Sequence, residues 1–130
     1  MIINNVSRQE EITLEFLKTI DNHLNDIVEG RTDTMMEINE IAKLLHLHPT
    51  YLSDTIKVFT GKSPCYFYEN KIIDIAKSLL EKTQKSITEI AHNLTYDPSN
   101  FTKFFKVYVK MTPKEYRTTY LKNNLGIKIL

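Results

Sequence analysis

Cysteine occurs once in these 130 residues, tryptophan not at all, glycine three times and proline four times. A lone Cys65 excludes an internal disulfide and a thiolate metal cluster. No glycine-rich phosphate loop, nucleophile elbow or paired acid–base constellation is present, so no enzymatic activity is expected. No stretch approaches the ~20 continuous apolar residues that span a bilayer. Met1 to Glu10 holds no basic segment followed by an apolar one, so no secretory leader is read and a cytoplasmic location is expected. Few turn formers alongside 42% hydrophobic and 25% charged side chains favour helices joined by short loops around a buried core.

Charge is spread unevenly. Residues 1–35 carry three basic and seven acidic side chains, residues 36–83 carry six of each, and residues 84–130 carry eight basic and three acidic. A polyanionic partner would therefore be attracted chiefly by the C-terminal third.

Apolar residues recur with the helical period throughout. Four Ser/Thr-x-x-Glu boxes, at Ser7/Glu10, Thr34/Glu37, Ser86/Glu89 and Thr112/Glu115, mark helix starts. Pro49, Pro64, Pro98 and Pro113 mark others, because proline is tolerated in the first helical turn. Seven helices are predicted, over 8–28, 35–45, 49–59, 63–82, 86–94, 98–109 and 112–122. The first presents Ile12, Phe16, Ile20, Leu24 and Ile27 on one side. The fourth lines up Cys65, Tyr68, Ile72, Ile75 and Leu79, with Ile73, Ala76 and Leu80 beside them. So wide an apolar surface predicts a connector packed on more than one side.

The chain repeats itself at an offset of 49. Residues 38–64 align with 87–113 without a gap, and nine of the 27 positions are identical: Ile38/Ile87, Glu40/Glu89, Ile41/Ile90, Ala42/Ala91, Leu45/Leu94, Pro49/Pro98, Lys57/Lys106, Val58/Val107 and Pro64/Pro113. Each copy is a helix, a short turn and a second helix opened by proline, which is the layout of a helix-turn-helix. The expected architecture is all-α: two helix-turn-helix subdomains of homeodomain-like form joined by a long linker helix. The division is an N-terminal helix and loop (1–33), a first unit (34–62), the linker (63–82), a second unit (83–122) and a short tail (123–130).

In such a unit the second helix enters the major groove of DNA. At 100° per residue, Phe101, Phe104, Phe105 and Tyr108 share one face of the helix over 98–109. The opposite face carries Ser99, Lys103, Lys106 and Lys110, flanked by Asn100 and Thr102. Lysines neutralise phosphates or donate to guanine, and asparagine pairs with adenine. In the first copy Leu52, Ile56 and Phe59 are expected to face inward and Thr50, Asp54 and Lys57 outward, with Tyr51 and Ser53 at the flanks. Asp54 stands where the second copy has Lys103, so the first surface reads selectively, contacts weakly or serves a partner protein instead. The linker spans about 30 Å, close to the ~34 Å between successive major-groove segments. The proline-led helix starts are expected to offer free N–H groups to phosphates.

The histidines His23, His46, His48 and His92 complete no ligand set with cysteine or carboxylate spacing, so no metal or other cofactor is expected. Cys65 is expected to be a packed thiol, the alternative being a pKa lowered by the nearby helix start.

The segments I-A-K-L-L-H-L-H-P-T-Y-L-S-D-T-I-K-V-F-T-G-K-S-P (41–64) and D-P-S-N-F-T-K-F-F-K-V-Y-V-K-M-T-P-K-E-Y-R (97–117) resemble the DNA-binding domain of the AraC/XylS family of bacterial transcription regulators. The resemblance covers about 36–117. It implies a bilobal all-α domain that binds double-stranded promoter DNA through the helices over 49–59 and 98–109 and recruits RNA polymerase, most often as an activator. Members of the family often carry a separate sensing or dimerisation domain, which does not fit in residues 1–33, so an excised C-terminal portion or a small stand-alone regulator is expected. The family usually has arginine at the Asp54 position, and glycine at those of Thr95 and Lys110. A helix-turn-helix surface that binds protein rather than DNA is the competing expectation.

Overall fold

The computed structural model describes residues 7–124. Seven helices follow in order: α1 (Arg8–Val28), α2 (Ile38–Leu44), α3 (Pro49–Thr60), α4 (Pro64–Lys82), α5 (Ile87–Asn93), α6 (Pro98–Val109) and α7 (Pro113–Asn124). No strand occurs among the described residues, so the molecule is all-α there.

The 49-residue offset reappears in the backbone. Helices α2 and α5 match residue for residue, as do α3 and α6, and Pro64 and Pro113 open α4 and α7. The turns match too. His46 and Thr95 both take left-handed φ values, 58° and 67°. The Leu47 N–H donates to the Ala42 carbonyl (2.9 Å) and His46 N–H to Lys43 (3.0 Å). Tyr96 to Ala91 (2.8 Å) and Thr95 to His92 (3.0 Å) repeat the pair. This six-to-one and five-to-two bonding ends a helix by satisfying its last carbonyls, and it needs one left-handed residue. The small Ala42 and Ala91, both fully buried, let the paired helices approach.

Three predicted starts hold: Ser7, Ser86 and Thr112 accept from the N–H of Glu10 (3.1 Å), Glu89 (3.0 Å) and Glu115 (3.1 Å), and at the latter two the Glu carboxylate accepts the cap N–H in return (2.8 Å each). The Thr34/Glu37 box does not form. The Glu40 carboxylate caps the Glu37 N–H instead (2.8 Å), and α2 starts at Ile38 rather than at 35. The cause is tertiary. Met36 gives its N–H to His23 Nε2 (2.9 Å) and its carbonyl accepts from the Tyr68 hydroxyl (2.7 Å), which holds that segment extended. Met1 to Val6 and the tail beyond Asn124 lie outside the described residues.

One core runs through the molecule. Ile12, Phe16, Ile20, Leu24 and Ile27 of α1 are each at most 1% exposed and pack onto α3, α4 and α2. At ~1.5–3 kcal/mol per buried side chain, that stripe contributes on the order of 10 kcal/mol before entropy is counted. Helix α4 buries Tyr68, Ile72, Ile73, Ala76 and Leu80 and touches α1, α3, α5, α6 and α7, as a connector should. Two expectations need correction. Cys65 lies in the first turn of α4 and is exposed rather than packed, and partial desolvation with the Glu69 carboxylate raises its pKa instead of lowering it. Phe59 is 44% exposed rather than inward. Its repeat mate Tyr108 packs edge-on against Phe104, whereas Thr55 stands at the Phe104 position in the first copy and offers no ring.

Candidate nucleic-acid interface

Helix α6 is built to show one face. Asp97 caps it, its carboxylate accepting from the N–H groups of Ser99 (3.0 Å) and Asn100 (3.2 Å). Phe101 and Phe105 are fully buried. Phe104 stacks on Tyr96 with centroids 5.2 Å apart, and Phe105 meets Tyr116 edge-on at 5.7 Å. The Tyr108 hydroxyl donates to Glu69 of α4, which pushes its pKa up to about 12. With that side locked, Ser99, Asn100, Lys103 and Lys106 are exposed and Thr102 is half-buried at the edge. Lys110, also exposed, closes the helix at a left-handed φ of 69°.

Helix α3 sits the same way in the first unit. Leu52, Thr55 and Ile56 are buried, and His48 caps it by accepting the Thr50 N–H at Nδ1 (3.1 Å). Thr50, Tyr51, Asp54 and Lys57 are exposed, and Ser53 is half-buried. Gly61 (φ 81°) occupies the place of Lys110. The outward lysine set of α6 is thus matched in α3 by Asp54, Lys57 and Gly61, so the two surfaces share a frame and differ in charge.

The expectation of free N–H groups at these helix starts holds only in part, because local caps take some of them. His48 and Asp97 take the first amides of α3 and α6, and Ser63 takes the Tyr66 N–H of α4 (3.3 Å). Beyond Lys110 a shallow groove of about 470 Å³ is lined by Lys110, Met111, Lys114, Thr118 and Lys122 with Glu115. The residue pattern marks this surface only as far as Lys110, although the local excess of lysine extends past it. Nor does the pattern mark Val58 and Val107, which stand exposed on the outer faces of α3 and α6.

Among the described residues no three His, Cys, Asp or Glu side chains gather as a metal site. Three histidines have local explanations: His46 makes the left-handed turn, His48 caps α3 and the buried His23 holds Met36. No described helix is long and apolar enough to cross a membrane.

Comparison with known proteins places this geometry. A family model described as a helix-turn-helix domain matches residues 41–119. The HTH-type transcriptional regulator YtdP of Bacillus subtilis (strain 168) is 33% identical over 101 residues, 77% of this chain and 13% of that protein. Across the five curated relatives it matches, the chain spans 13–36% of their length. The C-terminal domain of AraT, a response regulator from Geobacillus stearothermophilus, superposes with a TM-score of 0.73 at 26% identity, covering 89% of this chain and 88% of that one. The DNA-binding domain of AdpA, solved in complex with a target DNA, shares the fold with a TM-score of 0.70 at 17% identity, covering 85% and 97%. The chain belongs to the AraC/XylS family of helix-turn-helix, DNA-binding transcription regulators.

Proposed function

We propose that α3 and α6 are recognition helices that enter successive major-groove segments of one promoter duplex, with α6 supplying most of the affinity. The observation that carries this is the outer face of α6, where Lys103, Lys106 and Lys110 stand exposed beside Ser99 and Asn100, on a helix whose other side is buried. Phosphate neutralisation by lysine is the main sequence-independent source of affinity for DNA, and Lys114 and Lys122 extend the basic surface along α7. Helix α4, 19 residues long, spans about 28 Å, short of the ~34 Å groove repeat. Should α3 and α6 stand closer than that repeat, a duplex engaged by both would bend, at an elastic cost of a few kcal/mol. In α3, Thr50, Tyr51, Asp54 and Lys57 contact the first groove segment, with Ser53 at its edge, and in α6 Thr102 plays that edge role.

For the whole protein, resemblance to the AraC/XylS family supports an activator that works in the cytoplasm and recruits RNA polymerase under a sensing or dimerisation domain outside this chain. The domain limits remain those drawn from the sequence: first unit 34–62, linker 63–82, second unit 83–122.

Salt titration of binding to duplexes selected from random DNA tests the proposal. Affinity should fall steeply with salt, and Lys103→Ala and Lys106→Ala should each weaken binding and lower the log–log slope by about one. Affinity that is flat in salt, or unmoved by both substitutions, contradicts it and favours a surface for protein.

A further inference from the structure

Val58 and Val107 are the two most exposed large hydrophobic side chains among the described residues, at 72% and 64%. They are also repeat mates, identical in type and 49 positions apart. Scattered exposed apolar residues are ordinary on a surface. A β-branched residue is, however, mildly unfavourable in a helix as well as in water. Its recurrence at one register position of α3 and α6 points to something that covers it.

Each valine lies four residues beyond a charged side chain, Val58 after Asp54 and Val107 after Lys103. On a helix that places the pair on one strip, 40° apart and about 6 Å along the axis. The strip begins at Tyr51 in one copy and Asn100 in the other, both exposed. The apolar feature a major groove offers is the thymine C5-methyl group, and its polar edges differ by base.

Resting on the placement of α3 and α6 proposed above, we infer that each helix pairs one polar base contact with one thymine-methyl contact at a fixed offset. The polar contacts are opposite in kind. The Asp54 carboxylate accepts from the amino group of a cytosine, and the Lys103 ammonium donates to O6 and N7 of a guanine. The target then has a cytosine in the first half-site and a guanine in the second. Each is accompanied by a thymine on the order of two base steps away, at 3.4 Å per step.

The test is selection of duplexes by the full chain, followed by equilibrium binding. Asp54→Asn should move the preferred base of the first half-site from cytosine to adenine, with discrimination of about five- to 150-fold. Deoxyuridine in place of either thymine should weaken wild-type binding roughly fourfold, the worth of one buried methyl. Val58→Ala and Val107→Ala should each abolish that difference at its own half-site alone. All three side chains are exposed, and unchanged thermal melting confirms that the variants fold. A consensus untouched by Asp54→Asn, or deoxyuridine indistinguishable from thymidine, overturns the inference while Lys103→Ala still weakens binding. Failure of any duplex to be retained at low salt, or indifference to Lys103→Ala and Lys106→Ala, overturns the recognition-helix reading and this inference with it.

Discussion

At His46, Thr95 and Lys110 a side chain occupies left-handed backbone, at φ 58°, 67° and 69°, while Gly61 takes the equivalent of Lys110 without a Cβ. Such a conformation costs an L-residue on the order of 1 kcal/mol, partly offset because glycine has more freedom to lose on folding. Thr95→Gly and Lys110→Gly are therefore predicted to stabilise by about 0.5 kcal/mol each and to raise Tm by a degree or two. Lys110→Gly should weaken DNA binding at the same time, so melting and binding measured together separate the backbone role from the charge. His23 makes a pH-dependent contribution. Burial lowers its pKa below the ordinary 6.5, against the upward pull of Asp26 and Glu40, and only the neutral ring accepts the Met36 N–H. The unfolded chain then binds the proton more readily than the folded one, so this contribution is complete above pH 6.5 and declines as pH falls below it. Denaturant melts between pH 7.5 and 5 should show the decline, and His23→Leu should flatten it.

Helix α1 lies outside the span of the family match, 41–119, yet it carries five of the core's side chains and packs most extensively on α3. Phe16→Ala should cost about 3–5 kcal/mol, a large share of the 5–15 kcal/mol typical of a domain. Removing 1–33 should expose Leu52 and Ile56 and abolish cooperative unfolding of the first unit, which calorimetry would reveal. The stripe of α1 was legible from its period. What it packs against was not, because an amphipathic pattern names the buried face but not the neighbour. The same limit accounts for Cys65, whose exposure depends on whether another element covers it, whereas Phe59 is exposed because its own helix has Thr55 where α6 has the ring of Phe104. The 49-residue repeat, by contrast, was legible to the residue, since two copies of one pattern constrain each other. Among the predicted helix starts one failed, at Thr34, where two tertiary bonds to Met36 outweighed a local capping box.

At the level of the molecule, α4 is bonded to both units. On one side Lys71 pairs with Asp21 (2.8 Å) and Tyr68 holds Met36. On the other, Tyr108 and Tyr116 donate to Glu69 and Glu81, and Arg117 donates to the carbonyls of Leu80 (2.9 Å) and Thr83 (3.3 Å). Asn93 of α5 also reaches the Val28 carbonyl at the end of α1 (3.4 Å). Bonds of this kind tie both units to one helix, so the proposed placement of α3 and α6 predicts a half-site spacing set by the fold. The identity of the basic face was readable from residue types. Its extension along α7 was not, because Lys114 and Lys122 join Lys110 only through the packing of α7. The most direct test of the whole account is hydroxyl-radical footprinting of a selected duplex by the full chain. Two protected patches on one face of the helix, about ten base pairs apart, are predicted, with Lys103→Ala and Lys106→Ala weakening binding and fading first the patch under α6. A single patch, or two that respond alike to changes in α3 and α6, would contradict it.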